Sequence, residues 1–134
     1  MWWFDRQKPK DIWDEEIQWP IDDIEAAHRI REICRSAADS AEQAGGVERP
    51  DSRKRKPDDK NKKHQAERYE RAAKAAMEIA MKISDDLLRD SSVRQIVDLC
   101  MKAGDLKTAR ILFRALQTPS IKADVLNDHP VLRP

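Results

Sequence analysis

In 134 residues the chain has only three glycines, two cysteines, one tyrosine and two phenylalanines. So little glycine, together with few β-branched residues, argues against sandwiches and barrels, which need tight turns and side chains that fit a pleated surface. No run of about 18 apolar residues occurs, so no bilayer-spanning helix is expected. Met1-Trp2-Trp3-Phe4 is too short an apolar stretch for a signal peptide, and it precedes the charges Asp5, Arg6, Lys8 and Lys10 instead of following them. The expected location is therefore cytoplasmic, or nuclear in a eukaryote. Cys34 and Cys100 have apolar neighbours at helical spacing, which favours buried free thiols over a disulfide. His28, His64 and His129 are far apart and give no zinc-ligand spacing with the cysteines. Gly45-Gly46 is followed by Val-Glu-Arg-Pro, not by the Lys-Ser/Thr of a phosphate loop. No Ser or Cys stands beside a His as an activated nucleophile would. The expectation is a non-enzymatic protein without cofactor or metal.

What is present is charge. Charged residues make up 38% of the chain, yet the formal net charge is only +1, and mean hydropathy is −0.83. The 26 Leu, Ile, Val and Phe residues lie near the disordered class, but 16 alanines and a balanced net charge argue against disorder of the whole chain. The balance hides an asymmetry. Residues 1–25 hold eight acids and three bases, residues 51–65 seven bases and three acids, and residues 91–134 seven bases and four acids.

Four segments follow from this pattern. Residues 1–20 contain all four tryptophans, Trp2, Trp3, Trp13 and Trp19, with a short helical turn expected within Asp11–Gln18. Residues 21–44 predict a long amphipathic helix with the stripe Ile24, Ala27, Ile30, Cys34, Ala37, Ala41 and Ala44, closed by Gly45-Gly46. Residues 45–63 read as a basic flexible linker. Residues 64–134 read as a helical-hairpin domain. Its first helix is expected from about Lys63 to Leu88, with Ala66, Tyr69, Ala73, Ala76, Ala80, Ile83 and Leu87 inside, and with Glu67–Arg71, Glu70–Lys74 and Glu78–Lys82 as surface pairs. A helix capped by Ser91 or Ser92 follows to Ala103. Asp105 caps another, Leu106 to Leu116, and a last one spans Ser120 to Leu126.

A shift of 33 residues superimposes Ala76 on Ala109, Ile79 on Leu112, Ala80 on Phe113 and Ile83 on Leu116, the mark of stacked helical units. In the stretch Ile96 to Phe113, Ala103-Gly104-Asp105-Leu106 forms the turn, with Ala109 and Phe113 following. This stretch resembles the helix-turn-helix core of tetratricopeptide and pentatricopeptide repeats, loosely over residues 72–126. The resemblance implies an αα-hairpin in which Ala109 and Phe113 pack one helix on the next. The expected fold is all-α: a small helical bundle with a C-terminal hairpin of the tetratricopeptide type.

The acidic runs Asp14-Glu15-Glu16, Asp22-Asp23 and Asp85-Asp86 read as helix-start electrostatics and not as general acids. For a DNA-reading helix-turn-helix, Asp105 and Arg110 fall where apolar residues belong. Trp2, Trp3, Phe4, Trp13 and Trp19 are candidate partner-binding residues, since aromatic anchors dominate many interfaces; completion of the thin core is the equal alternative. Arg53, Lys54, Arg55, Lys56, Lys60, Lys62 and Lys63 are candidate phosphate contacts, against a solvated linker. The expected role is a small adaptor or regulatory subunit with a protein partner. A nucleic-acid-associated protein is the alternative, and self-association stays open.

Overall fold

The computed structural model describes residues 11–46 and 59–134. Five helices follow in order: α1 (Asp23–Ala44), α2 (Asp59–Ala80), α3 (Asp86–Lys102), α4 (Leu106–Ala115) and α5 (Pro119–Asp128), with 3-10 turns at Ile12–Asp14 and Pro130–Leu132. There is no strand among the described residues, and the architecture is all-α.

Asp22 starts α1, its carboxylate accepting the Glu25 amide at 2.7 Å, with Asp23 and Glu25 in the positively polarised first turn. The face α1 buries is Ala26, Ile30, Ile33, Ala37, Ser40 and Ala41. It shares Ile30, Ala37 and Ala41 with the expected stripe but is rotated from it, and Ile24 stands 77% exposed. The reason is that α1 packs on both α2 and α3, so its inward face is wider than a single three–four ladder.

The expected helix to Leu88 breaks early. α2 ends at Ala80, and the chain turns through Met81–Asp85 before α3 begins at Asp86, several residues before the expected start at Ser92. The break is held from two sides. Asp85 caps α3 by accepting the Leu88 amide at 2.8 Å, while the Asp23 carboxylate accepts the amides of Ser84 (3.1 Å) and Asp85 (3.0 Å). Apolar spacing does not reveal this turn, because Ile83 stays buried while Leu87 points out. Ser92 is a buried mid-helix residue and caps nothing. The first turns of α2 take in residues 59–63, so that end of the expected linker is helical.

α3 buries Asp90, Val93, Ile96, Val97, Leu99 and Cys100, a wide distribution that follows from α1, α2, α4 and α5 all packing on it. Gly104 closes α3 with φ +71, and Asp105 caps α4. The Asp105 carboxylate also accepts the Tyr69 hydroxyl at 2.7 Å, tying α2 to the α3–α4 turn. The eight residues paired by the 33-residue shift between Ala76 and Leu116 are all buried. The shift also carries Asp86, first in α3, onto Pro119, first in α5. Gly104, however, falls back onto Arg71 inside α2, so the shift relates helix–break–helix segments, not two hairpins.

Asp90 is 1% exposed, and its carboxylate accepts the amides of Gln117 (2.9 Å) and Thr118 (2.7 Å), freed where α4 gives way to α5. On the same side Arg94 meets Asp124 and Asp128, and His129 Nε2 lies 2.8 Å from Asp98. Both cysteines are free thiols. Burial, with Cys100 and Asp98 nearby, pushes Cys34 up to about 12; burial pushes Cys100 up to about 11. Burial and the Cys100 and Asp105 neighbours also raise the Tyr69 phenol. Burial would raise Asp90 and Asp105, but the hydrogen bonds they accept outweigh it and hold both below the usual carboxylate range.

Two outcomes follow. Gly45 lies so close to the end of α3 that a Cβ would run into the Lys102 carbonyl oxygen. Gly45→Ala should therefore lower stability in urea melts by about 1–3 kcal/mol. The pH profile of stability should be flat between about pH 5 and 8 and fall on both sides. On the acid side, Asp90 and Asp105 have lowered folded values, so their contribution is present above 3.8 and is lost as pH drops below it. On the alkaline side, the thiols have raised folded values, so their contribution is intact below 9.0 and is lost as pH rises toward 11 and 12. A midpoint that stays level from pH 8 to pH 11 would contradict the thiol assignment.

Candidate functional site

The segment before α1 is anchored before it is free to do anything else. Asp14 donates its amide to the Asp11 carbonyl (2.9 Å) and accepts the Asp11 amide at its carboxylate (3.3 Å), which closes the turn Ile12–Asp14. That turn directs Trp13 inward, where it is 7% exposed. Arg68 of α2 lies over the Trp13 ring at 5.1 Å. The same guanidinium donates to Asp11 at 2.8 Å and to Ser40 of α1 at 2.8 Å, and Ser40 donates in turn to Gln65 at 2.6 Å. One side chain thus joins the segment, α1 and α2. Arg71, expected to pair with Glu67, reaches Asp14 instead at 3.2 Å.

Beyond Trp13 the segment touches the core again through Ile17 and Ile21, and a groove of about 500 Å³ lies between it, α1 and α2. This volume is in the range of ordinary ligand sites. Ile33, Ala75 and Ile79 line it from the helices, and Ile12, Trp13, Ile17 and Trp19 from the segment. Trp19 is 41% exposed. The Lys82 ammonium, expected to pair with Glu78, lies over its ring at 5.0 Å, a cation–π contact that holds the indole at the lip. Glu15, Glu25, Glu32 and Glu78 surround the opening, against Arg29 and Lys82. Trp13 Nε1 and Arg29 Nε are buried donors without a hydrogen-bond partner, and such groups cost about 1–3 kcal/mol each.

The candidate aromatics are therefore divided. Trp13 is part of the core and of the groove wall, and Trp19 is at the lip; Trp2, Trp3 and Phe4 lie outside the described residues. Of the basic candidates, Lys60, Lys62 and Lys63 are exposed on the first turns of α2, not on a loop; Arg53, Lys54, Arg55 and Lys56 lie outside the described residues. The joint that Arg68 makes with Ser40 and Asp11 is not marked in the sequence. An arginine on a charged helix carries no pattern that marks which of its neighbours it will join.

Among the described residues, no three His, Cys, Asp or Glu side chains gather as a metal site would, and no helix is long and apolar enough to cross a membrane. Comparison with known proteins gives no match to a family model, a curated protein or a solved structure.

Arg68→Met keeps the stem but removes the donors to Asp11 and Ser40. It should lower stability by about 1–3 kcal/mol and shift tryptophan emission to the red as Trp13 becomes wet. An unchanged spectrum and melt would show that the segment is held without Arg68.

Proposed function

We propose that this protein is a non-catalytic adaptor or regulatory subunit that binds a protein partner, and that the groove beside Trp19 is where the partner docks. The observation that carries this reading is the groove itself: a half-exposed tryptophan at the lip, apolar surface from Ile12, Ile17 and Ala75, and a charged rim, the pattern of an anchor-bearing interface. The nucleic-acid reading rests mostly on residues 53–56, which lie outside the described residues, and the groove is the better-supported site.

The segment 11–20 is a poor target for deletion, because Asp11 and Trp13 belong to the bundle. Trp19→Ala is the cleaner test. Wild-type and Trp19→Ala chains serve as baits in extract from the source cell, with melting temperatures measured alongside. The expected result is a protein held by the wild type and lost with Trp19→Ala, while the melting temperature stays within about 2 °C. The same proteins held by both baits would remove the groove from the binding surface.

A further inference from the structure

The floor and the rim of the groove ask for different things from an occupant. Ile33 and Ile79, each 4% exposed, only close the bottom of the groove; the apolar surface left open is that of Ile12, Ile17, Trp19 and Ala75, so an occupant must bring aliphatic or aromatic side chains. The rim offers mostly negative charge. Glu15 comes from the segment, Glu25 and Glu32 from α1, and Glu78 from α2, so carboxylates stand on all three walls. Two cations oppose these four acids, and the Lys82 ammonium is already engaged with the Trp19 ring. Glu32 lies 3.7 Å from Arg35, an exposed pair that leaves its charge largely available. Like-signed charge around an apolar depression steers ligands of the opposite sign and rejects others.

From this complementarity we infer that the groove takes a cationic amphipathic peptide segment of a partner protein, its apolar side chains on Ile17, Trp19 and Ala75 and its Lys or Arg side chains toward Glu15, Glu25 and Glu78. This rests on the protein-binding reading above and adds the chemistry of the partner. The segment lays one apolar stripe along the floor, as an amphipathic helix does in a groove, and presents its bases on either side of that stripe. Because the rim charges are solvent-exposed, they contribute to selectivity and association rate more than to affinity, and their effect weakens with salt.

The test uses the full chain and two fluorescein-labelled amphipathic peptides of equal length, one of Leu and Lys and one of Leu and Glu, followed by anisotropy. The Leu/Lys peptide should bind at least tenfold more tightly than the Leu/Glu peptide, and the preference should shrink as salt is raised. Glu15→Lys with Glu78→Lys, which changes two opposing walls, should weaken the Leu/Lys peptide at least tenfold. Glu67→Lys with Glu70→Lys, on the exposed part of α2 away from the groove, should leave it unchanged. Circular dichroism melts establish that both double variants are folded. Equal binding of the two peptides, no binding of the Leu/Lys peptide, or equal loss in both double variants overturns the inference. So does binding that appears only when Trp2, Trp3 and Phe4 are replaced by Ala, which would identify the chain's own first residues as the occupant. In each of those cases the Trp19→Ala result still decides whether a protein docks at the lip, so the two readings fail separately.

Discussion

The close approach of α1, α2 and α3 along small side chains is the constraint on which the rest depends. Ala26, Ala37 and Ala41 of α1 and Ala72, Ala73, Ala76 and Ala80 of α2 are all essentially removed from water. Alanine buries little area, so each contact is weak. It also holds no rotamer to be frozen and lets helix backbones come near one another. The same closeness appears where Gly45 meets the end of α3 with no room for a methyl group. A chain with only 26 Leu, Ile, Val and Phe residues obtains its core by bringing surfaces together, not by filling them with bulk.

Thin packing of this kind leaves part of the specification to polar groups. Three carboxylates each serve a junction. Asp23 accepts the amides at the α2–α3 break, Asp90 those before α5, and Asp105 caps α4 while accepting the Tyr69 hydroxyl. Each satisfies donors that a helix end exposes, and each joins elements distant in sequence. The Cys34 and Cys100 thiols and the Tyr69 phenol are pushed further from ionisation by burial, while Asp90, equally removed from water, stays ionised because the amides of Gln117 and Thr118 donate to it.

The groove is a consequence of the same arrangement. Arg68 holds the turn at Ile12–Asp14 down on α1 and α2, while the following residues are held by Ile17 and Ile21 against the core and by Trp19 under Lys82. Between these attachments the groove stays open, with Ile12 and Trp19 partly exposed along it. The acidic start of the chain thereby acquires a position as well as a composition: its carboxylates, with those of α1 and α2, surround one opening.

Much of the fold was legible locally. Helix ends written in short-range chemistry, namely Gly45-Gly46, Gly104 and Asp105, appear where the chain suggested, because caps and left-handed glycines act within a few residues; α1 starts two residues later than expected, with Asp22 as its cap and not in its first turn. The all-α class and the buried pairs related by the 33-residue shift were legible for the same reason: apolar spacing is a property of one segment at a time. The break at Met81–Asp85 was not, since periodicity continues through it and Asp23, some 60 residues away, completes it. Nor was the rotation of the α1 face, which depends on how many neighbours α1 has. Tertiary structure alone decided which tryptophan is core and which is lip, which base Asp11 and Asp14 would meet, and that Glu15, Glu25 and Glu78 would face one groove. These are relations between segments, and a linear sequence contains the partners without the distances that join them.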